Sequence, residues 1–294
     1  MFSGCIVALV TPFQRNGGVD FRKLDDLVDF HLAQGTDAIS PCGTTGESPT
    51  LSHEEHEAVI GSVVKRARGR VPILAGTGSN STQEAIRLTK FAQKIGADGA
   101  LLVSPYYNKP EPEGMYEHYR AIAKAVSISL VLYNVPSRTG RAIEPTTVAR
   151  LSTMKNVVAL KDASGDLDVA SEVRSLCDIT ILSGDDSRTL PLMSVGGKGV
   201  ISVVANIIPR DVKKMIAAFE KGDTAGAERR HRKLFPLCKA MFYESNPIPV
   251  KTAMKMLGRL NGAMRLPMSK MTAAKAKMLR TALKDYRLLK GRKR

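Results

Sequence analysis

The chain predicts a closed (β/α)8 barrel followed by a C-terminal helical extension, and three observations carry that prediction. Eight short β-branched or aliphatic runs occur in order, at residues 6–10, 38–40, 72–75, 100–103, 130–133, 157–160, 179–182 and 199–204. Helical patterns fill the intervals, which is the alternation that parallel βα units require. From Pro209 onward only helical patterns remain. A barrel of this kind takes about 250 residues, so a chain of 294 has a surplus at its C-terminus. The expected division is a catalytic barrel over 1–225 and a helical extension with a basic tail over 226–294. A doubly wound open sheet would need a dinucleotide fingerprint, and no G-x-G-x-x-G follows the first run.

Each predicted strand ends in a polar segment. The first runs into Thr11-Pro12-Phe13, the second into Gly43-Thr44-Thr45-Gly46-Glu47-Ser48 and the third into Gly76-Thr77-Gly78-Ser79-Asn80. The fourth gives Ser104-Pro105-Tyr106-Tyr107-Asn108 and the fifth Tyr133-Asn134-Val135-Pro136-Ser137-Arg138. The sixth gives Lys161-Asp162-Ala163-Ser164-Gly165 and the seventh Ser183-Gly184-Asp185-Asp186. In a closed barrel these segments converge on the C-terminal face, where barrel enzymes build their active sites. Beyond the eighth run, residues 211–221, 223–245, 248–258 and 270–288 read as helices, broken near Gly222, Pro247 and Pro267.

Composition narrows the function. With 43% apolar and 24% charged residues the chain reads as an ordinary globular protein able to bury a large core. The short apolar run near the N-terminus has no basic leader, and Pro12 soon ends it, so neither a signal peptide nor a membrane span is expected. Cys5, Cys42, Cys177 and Cys238 are far apart and lack C-x-x-C spacing, as suits free thiols in a reducing cytoplasm. The net charge of +16 is unevenly placed: residues 251–294 carry fourteen Lys or Arg and the single acid Asp285, leaving only +3 for residues 1–250. The tail Leu288-Leu289-Lys290-Gly291-Arg292-Lys293-Arg294 has no interleaved aromatics, and Trp is absent throughout, so base stacking has no support. A solvated helix face with a frayed terminus accounts for that charge, and an anion- or nucleic-acid-binding role for the segment is the alternative.

Lys161 is the sharpest chemical candidate. It ends the apolar run at 157–160, where a buried strand would present a lone amine at the barrel mouth. A lysine in water is nearly all ammonium at a pKa of about 10.4, and desolvation is one way to free its lone pair for attack on a carbonyl. Such chemistry needs a proton shuttle, and the phenol of Tyr133 at the end of the fifth strand can serve. Thr44 and Thr45 lie in a glycine-flanked turn suited to binding a carboxylate. Arg138, in the loop after Pro136, can clamp a second carboxylate. Ser52 with Glu55 and Ser81 with Glu84 both match the capping box, which leaves Glu84 open between helix capping and ligand binding. His53 and His56 lie three apart with no third ligand nearby, so they read as exposed helical histidines rather than a metal site. No metal or cofactor is expected.

Taken together, Gly43-Thr44-Thr45-Gly46-Glu47, Tyr106-Tyr107, the segment Tyr133 to Gly140, Lys161-Asp162, Ser183-Gly184-Asp185-Asp186 and Asn246-Pro247-Ile248-Pro249-Val250-Lys251 resemble the dihydrodipicolinate synthase family. That family belongs to the N-acetylneuraminate lyase superfamily of class I aldolases, and the motifs occur in family order across most of the chain. The resemblance implies condensation of pyruvate with L-aspartate 4-semialdehyde to 4-hydroxy-tetrahydrodipicolinate, the first committed step toward diaminopimelate and lysine. It implies an imine on Lys161, with Tyr133 moving protons and linked through Thr44 to Tyr107 of a neighbouring subunit. Thr45 would hold the pyruvate carboxylate, with the backbone of Gly184 and Val203 lining the same pocket, and Arg138 would receive the semialdehyde. A cytoplasmic homotetramer is implied, with Ser48, His53, His56, Asn80, Glu84 and Tyr106 as an L-lysine feedback site. Pro49, where lysine-sensitive members often have Ala, and Asp162, where members commonly have Glu, depart from the pattern. Superfamily lyases usually carry Ser at the first hydroxyl of the turn and lack the Pro-Ser-Arg-Thr-Gly segment. The nearest rival is therefore another pyruvate-dependent aldolase on the same barrel.

Overall fold

The computed structural model describes residues 2–289. Its strands are β1 Gly4–Ala8, β2 Ala38–Ser40, β3 Leu74–Gly76, β4 Gly99–Val103, β5 Ser129–Asn134, β6 Val157–Asp162, β7 Thr180–Ser183 and β8 Gly199–Ser202. They pair in parallel in the order β2-β1-β8-β7-β6-β5-β4-β3. A parallel bridge between Ile39 and Ile73 joins β2 to β3 and closes the ring. The expected (β/α)8 barrel is the fold.

The helices are α1 Phe21–Gln34, α2 His53–Ala67, α3 Thr82–Lys94, α4 Pro112–Ala125, the single turn α5 Pro136–Thr139, α6 Pro145–Ser152, α7 Leu167–Leu176, α8 Thr189–Ser194 and α9 Pro209–Glu220. Local chemistry sets their ends. The Asp20 side chain accepts from the Lys23 amide at 3.0 Å to start α1, and Gly35 at φ +71° ends it in the left-handed conformation that glycine adopts without strain. Leu24, Leu27, Val28 and His31 of α1 are buried, a spacing of three and four that turns one face to the strands.

The core has two layers, because successive strand side chains point to opposite faces. Val131 and Tyr133 of β5, Ala159 of β6, Leu182 of β7 and Ile201 of β8 fill the barrel interior. Leu130, Leu132, Leu160, Ile181 and Val200 pack outward against the helices. Leu102, Leu132 and Leu160 are fully buried, each contributing about 1.5–3 kcal/mol of transfer free energy. Lys161, two residues after Ala159, therefore belongs to the inward set.

Strand boundaries differ from the sequence pattern where side chains capture backbone amides. β1 stops at Ala8, and the Val10 amide donates to Asn206 Oδ1 at 3.2 Å instead. The run at 199–204 stops at Ser202, because the Val203 and Val204 amides donate to Asp186 Oδ2 at 3.0 and 2.9 Å. β6 runs on through Lys161 and Asp162, so the lysine stands within the strand rather than after it.

The extension comprises α10 Thr224–Ala240, α11 Ile248–Met256 and α12 Ala273–Asp285. α10 ends before the expected 245, since Phe242 and Tyr243 bond three residues back, to Lys239 and Ala240, and tighten the chain into turns. The division at 225/226 falls in the first turn of α10. Leu234, Leu237 and Cys238 of α10 with Leu279 and Leu283 of α12 join the outer layer of the barrel core. Cys5, Cys42 and Cys238 are buried free thiols, and Cys177 is half-buried. No described helix is long and apolar enough to cross a membrane. The basic tail from Lys290 to Arg294 lies outside the described residues.

Candidate active site

Lys161 and Tyr133 are register partners on adjacent strands β6 and β5. The parallel pairing places both side chains inside the barrel at its C-terminal end. Lys161 Nζ lies 3.9 Å from the centroid of the Tyr133 ring, and the lysine is 6% exposed. An amine held on an aromatic face and buried inside the barrel has few solvent partners. Gly184, at the end of β7, makes room for it. A Cβ there would stand 3.2 Å from Lys161 Cε and 2.7 Å from the Ala163 Cβ. The Gly184 amide donates to the Asp162 carbonyl at 2.6 Å, fixing the loop beside the lysine.

The turn after β2 faces the same end. Within it the Gly46 amide donates to Gly43 O at 3.0 Å and the Glu47 amide to Thr44 O at 3.1 Å. Thr45 is buried, and its hydroxyl accepts from Asn246 Nδ2 at 2.9 Å. Arg138, expected in a loop, stands in the helical turn α5, where Nη2 donates to the Asn246 carbonyl at 3.4 Å. A cavity of about 370 Å³ brings together Thr44, Tyr133, Arg138, Ser48, His53, His56, Glu84 and Tyr106. Thr45, Asn80, Lys161, Gly184 and Val203 are not among its lining residues. Tyr107 is not brought into this site: it is 90% exposed and held at φ +72°.

One expectation for the outer end of the cavity is corrected. His56 is not an exposed helical histidine but is buried, and burial pushes its imidazole down to about 4. His53 alone of the pair is exposed, its Nε2 3.2 Å from Glu84 Oε1. The capping box is complete at Ser52 and Glu55, with reciprocal bonds of 3.0 and 3.2 Å. At Ser81 only half of it forms, because the Glu84 carboxylate turns to Ser79 and His53 instead of back to the Ser81 amide. Glu84 thereby presents its charge to the cavity. Asn80 Nδ2 donates to the Tyr106 carbonyl at 3.1 Å, which ties the third loop to the fourth.

Several supporting residues were given no role from sequence. Asp186 is fully buried, accepts from Ser202 Oγ at 2.5 Å as well as from both amides after β8, and is pushed up to about 6 by burial. It sets the backbone of Val203, whose carbonyl accepts from Asn206 Nδ2 at 2.9 Å. Asp162 accepts from Asn134 Nδ2 at 2.9 Å, and burial raises its carboxyl above the ordinary range. Lys251 and Glu47 form a buried ion pair at 2.5 Å behind the threonine turn. The only local signal for these residues is their place in the motif strings.

Fold and relatives together define a barrel lyase of the class I aldolase type. The Dihydrodipicolinate synthetase family model matches residues 1–286, and the chain belongs to that family. The 4-hydroxy-tetrahydrodipicolinate synthase of Citrifermentans bemidjiense is 54% identical over 98% of this chain and all of its own length. Among solved structures, the chloride-inhibited dihydrodipicolinate synthase of Acinetobacter baumannii, described as complexed with pyruvate, is 46% identical. It covers 98% of this chain and 100% of its own at a TM-score of 0.96. The enzyme of Cyanidioschyzon merolae with lysine bound is 41% identical, with 98% and 99% covered and a TM-score of 0.96.

Proposed function

We propose that the chain condenses pyruvate with L-aspartate 4-semialdehyde, through an imine on Lys161, to give 4-hydroxy-tetrahydrodipicolinate. The observation that carries this reading is the Lys161 amine stacked 3.9 Å from the Tyr133 ring at the barrel mouth, with Tyr133 lining the adjoining cavity. The neutral amine adds to C2 of pyruvate, the oxygen takes protons, and loss of water leaves the imine. Removal of a methyl proton gives the enamine, whose carbon forms a bond to the aldehyde carbon. The amino group of the semialdehyde portion then adds to the imine carbon and expels Lys161, which regains its proton. Tyr133 donates and accepts in these transfers, and Thr44 relays them toward Tyr107.

The near-complete exposure of Tyr107 supports its being supplied to the site of a second copy of the chain. Thr45 with the backbone of Gly184 and Val203 holds the pyruvate carboxylate, and Arg138 holds that of the semialdehyde. The assembly is a homotetramer in the cytoplasm. L-lysine binds as a feedback inhibitor at Ser48, His53, His56, Asn80, Glu84 and Tyr106. The Glu84 carboxylate turned toward the cavity supports that site, as does the lysine-bound relative.

Turnover tests the reading. Purified protein should consume pyruvate and L-aspartate 4-semialdehyde one for one, and L-lysine should slow this at subsaturating pyruvate. Faster consumption of pyruvate with an unrelated aldehyde would instead make it another pyruvate-dependent aldolase.

A further inference from the structure

The Thr44–Thr45 turn is gripped from behind by charged residues that the chemistry above does not use. Lys251, on α11 of the extension, is 1% exposed. Its ammonium donates to Glu47 Oε1 at 2.5 Å and to the Thr11 carbonyl at 2.9 Å, and lies 4.3 Å from the Phe13 ring centroid. The other oxygen of Glu47 accepts from the Arg265 amide at 3.1 Å. Glu47 itself sits at φ +54°, a left-handed conformation that disfavours any residue but glycine. Its amide closes the turn on Thr44 O. Displacing the carboxylate therefore displaces the backbone that carries both threonines.

Stability does not account for the pair, since a buried ion pair rarely outperforms apolar side chains of the same volume. Position accounts for it better. The same short segment of chain touches the site at two further points, Asn246 Nδ2 on Thr45 Oγ1 and the Asn246 carbonyl on Arg138. The extension thus meets the turn at both ends.

We propose that Glu47 and Lys251 are a positioning pair that fixes the Thr44–Thr45 turn relative to Lys161, making the C-terminal extension part of the pyruvate carboxylate pocket. The proposal rests on Thr45 and Lys161 being the pyruvate-binding groups. Neither member of the pair touches substrate; both act through the turn.

The test is the double variant Glu47→Gln/Lys251→Met, which removes both charges at nearly constant volume and so leaves no orphaned ion. It should melt cooperatively near the parent temperature, while its KM for pyruvate rises at least about tenfold, because a misplacement of ~1 Å costs on the order of a hundredfold. Its KM for the semialdehyde should rise less than that for pyruvate, since the bond from Arg138 to the Asn246 carbonyl uses neither charge of the pair. Glu47→Gln alone keeps an acceptor for the ammonium and forms a second arm, with a smaller rise in the same constant. An unchanged pyruvate KM in either folded variant overturns the proposal. Borohydride trapping of pyruvate on the unmodified protein separates the two levels. No adduct there removes the parent reading, whereas an adduct with an unchanged KM in the variants removes only the positioning role.

Discussion

Tyr133 and Lys161 face each other across the β5–β6 ladder, with the lysine amine 3.9 Å from the tyrosine ring centroid. The proposed reaction gives the ring and the hydroxyl separable roles, as a platform for the amine and as a proton carrier. Tyr133→Phe keeps the platform and removes the carrier. Its kcat should fall about a hundredfold or more, the usual cost of losing a general acid–base group, while pyruvate still forms an adduct on Lys161 during long incubation. An undiminished kcat would reduce Tyr133 to packing.

Arg138 stands at the rim of the cavity, tied to the Asn246 carbonyl at 3.4 Å. Arg138→Ala should raise the semialdehyde KM about ten- to a hundredfold, the worth of a charge-assisted bond to a carboxylate. Imine formation with pyruvate alone, read by borohydride trapping, should be unaffected. Equal damage to both steps would place the guanidinium on pyruvate instead.

Gly184 is small because Ala163, the Asp162 carbonyl and Lys161 crowd the space beside it. In Gly184→Ala the new methyl would lie 2.7 Å from Ala163 Cβ and 3.0 Å from the Asp162 carbonyl oxygen, so the loop must move. Urea unfolding should show a loss of about 1–3 kcal/mol, as overpacking does. Steady-state kinetics should show kcat/KM for pyruvate lowered at least about tenfold by the shifted lysine. Parent-like kinetics would mean that the loop gives way without disturbing the amine.

Acid should destabilise the fold well before its surface carboxylates titrate. Burial holds His31 at about 3 and His56 and His118 at about 4. The unfolded chain protonates these groups near 6.5, so it binds the extra protons between about pH 6.5 and pH 4. Their contribution is complete above 6.5 and is lost as pH falls through that window, each adding up to about 1.4 kcal/mol per pH unit. Asp186 works in the opposite sense. Burial raises it to about 6 from an ordinary 3.8, so its contribution is full below 3.8 and fades as pH rises to 6. The three imidazoles outweigh it. Urea unfolding at about pH 7 and about pH 5 should show a clear fall in stability, and His118→Gln should make that fall shallower. An unchanged slope in His118→Gln would mean that His118 takes up its proton in the folded state.

The barrel and the place of Lys161 at its mouth were legible because both follow from short-range pattern. β-branched runs mark the strands, and closure of the ring gathers the strand-end polar residues, Lys161 and Tyr133 among them, on one face. The bracing was not legible, because its contacts span most of the chain: Asn246 meets Thr45 across 201 positions and Lys251 meets Glu47 across 204. No periodicity encodes such pairs. His56 was legible and misread. His56, Val59, Ile60 and Val63 repeat at helical spacing and are all buried, whereas His53 begins the helix on its exposed side. Glu84 shows the limit of a capping motif. Ser81 supplies its half of the box, but the Ser79 hydroxyl and His53 compete for the carboxylate and take it.

The central claim is that Lys161 carries the chemistry, and trapping is its most direct measurement. The protein is reduced with borohydride in the presence of pyruvate, digested, and the peptides weighed by mass spectrometry. The account predicts a pyruvate-derived mass increment on the peptide containing Lys161, absent without pyruvate and absent from Lys161→Ala. An adduct confined to another lysine, or none on folded protein, would contradict it.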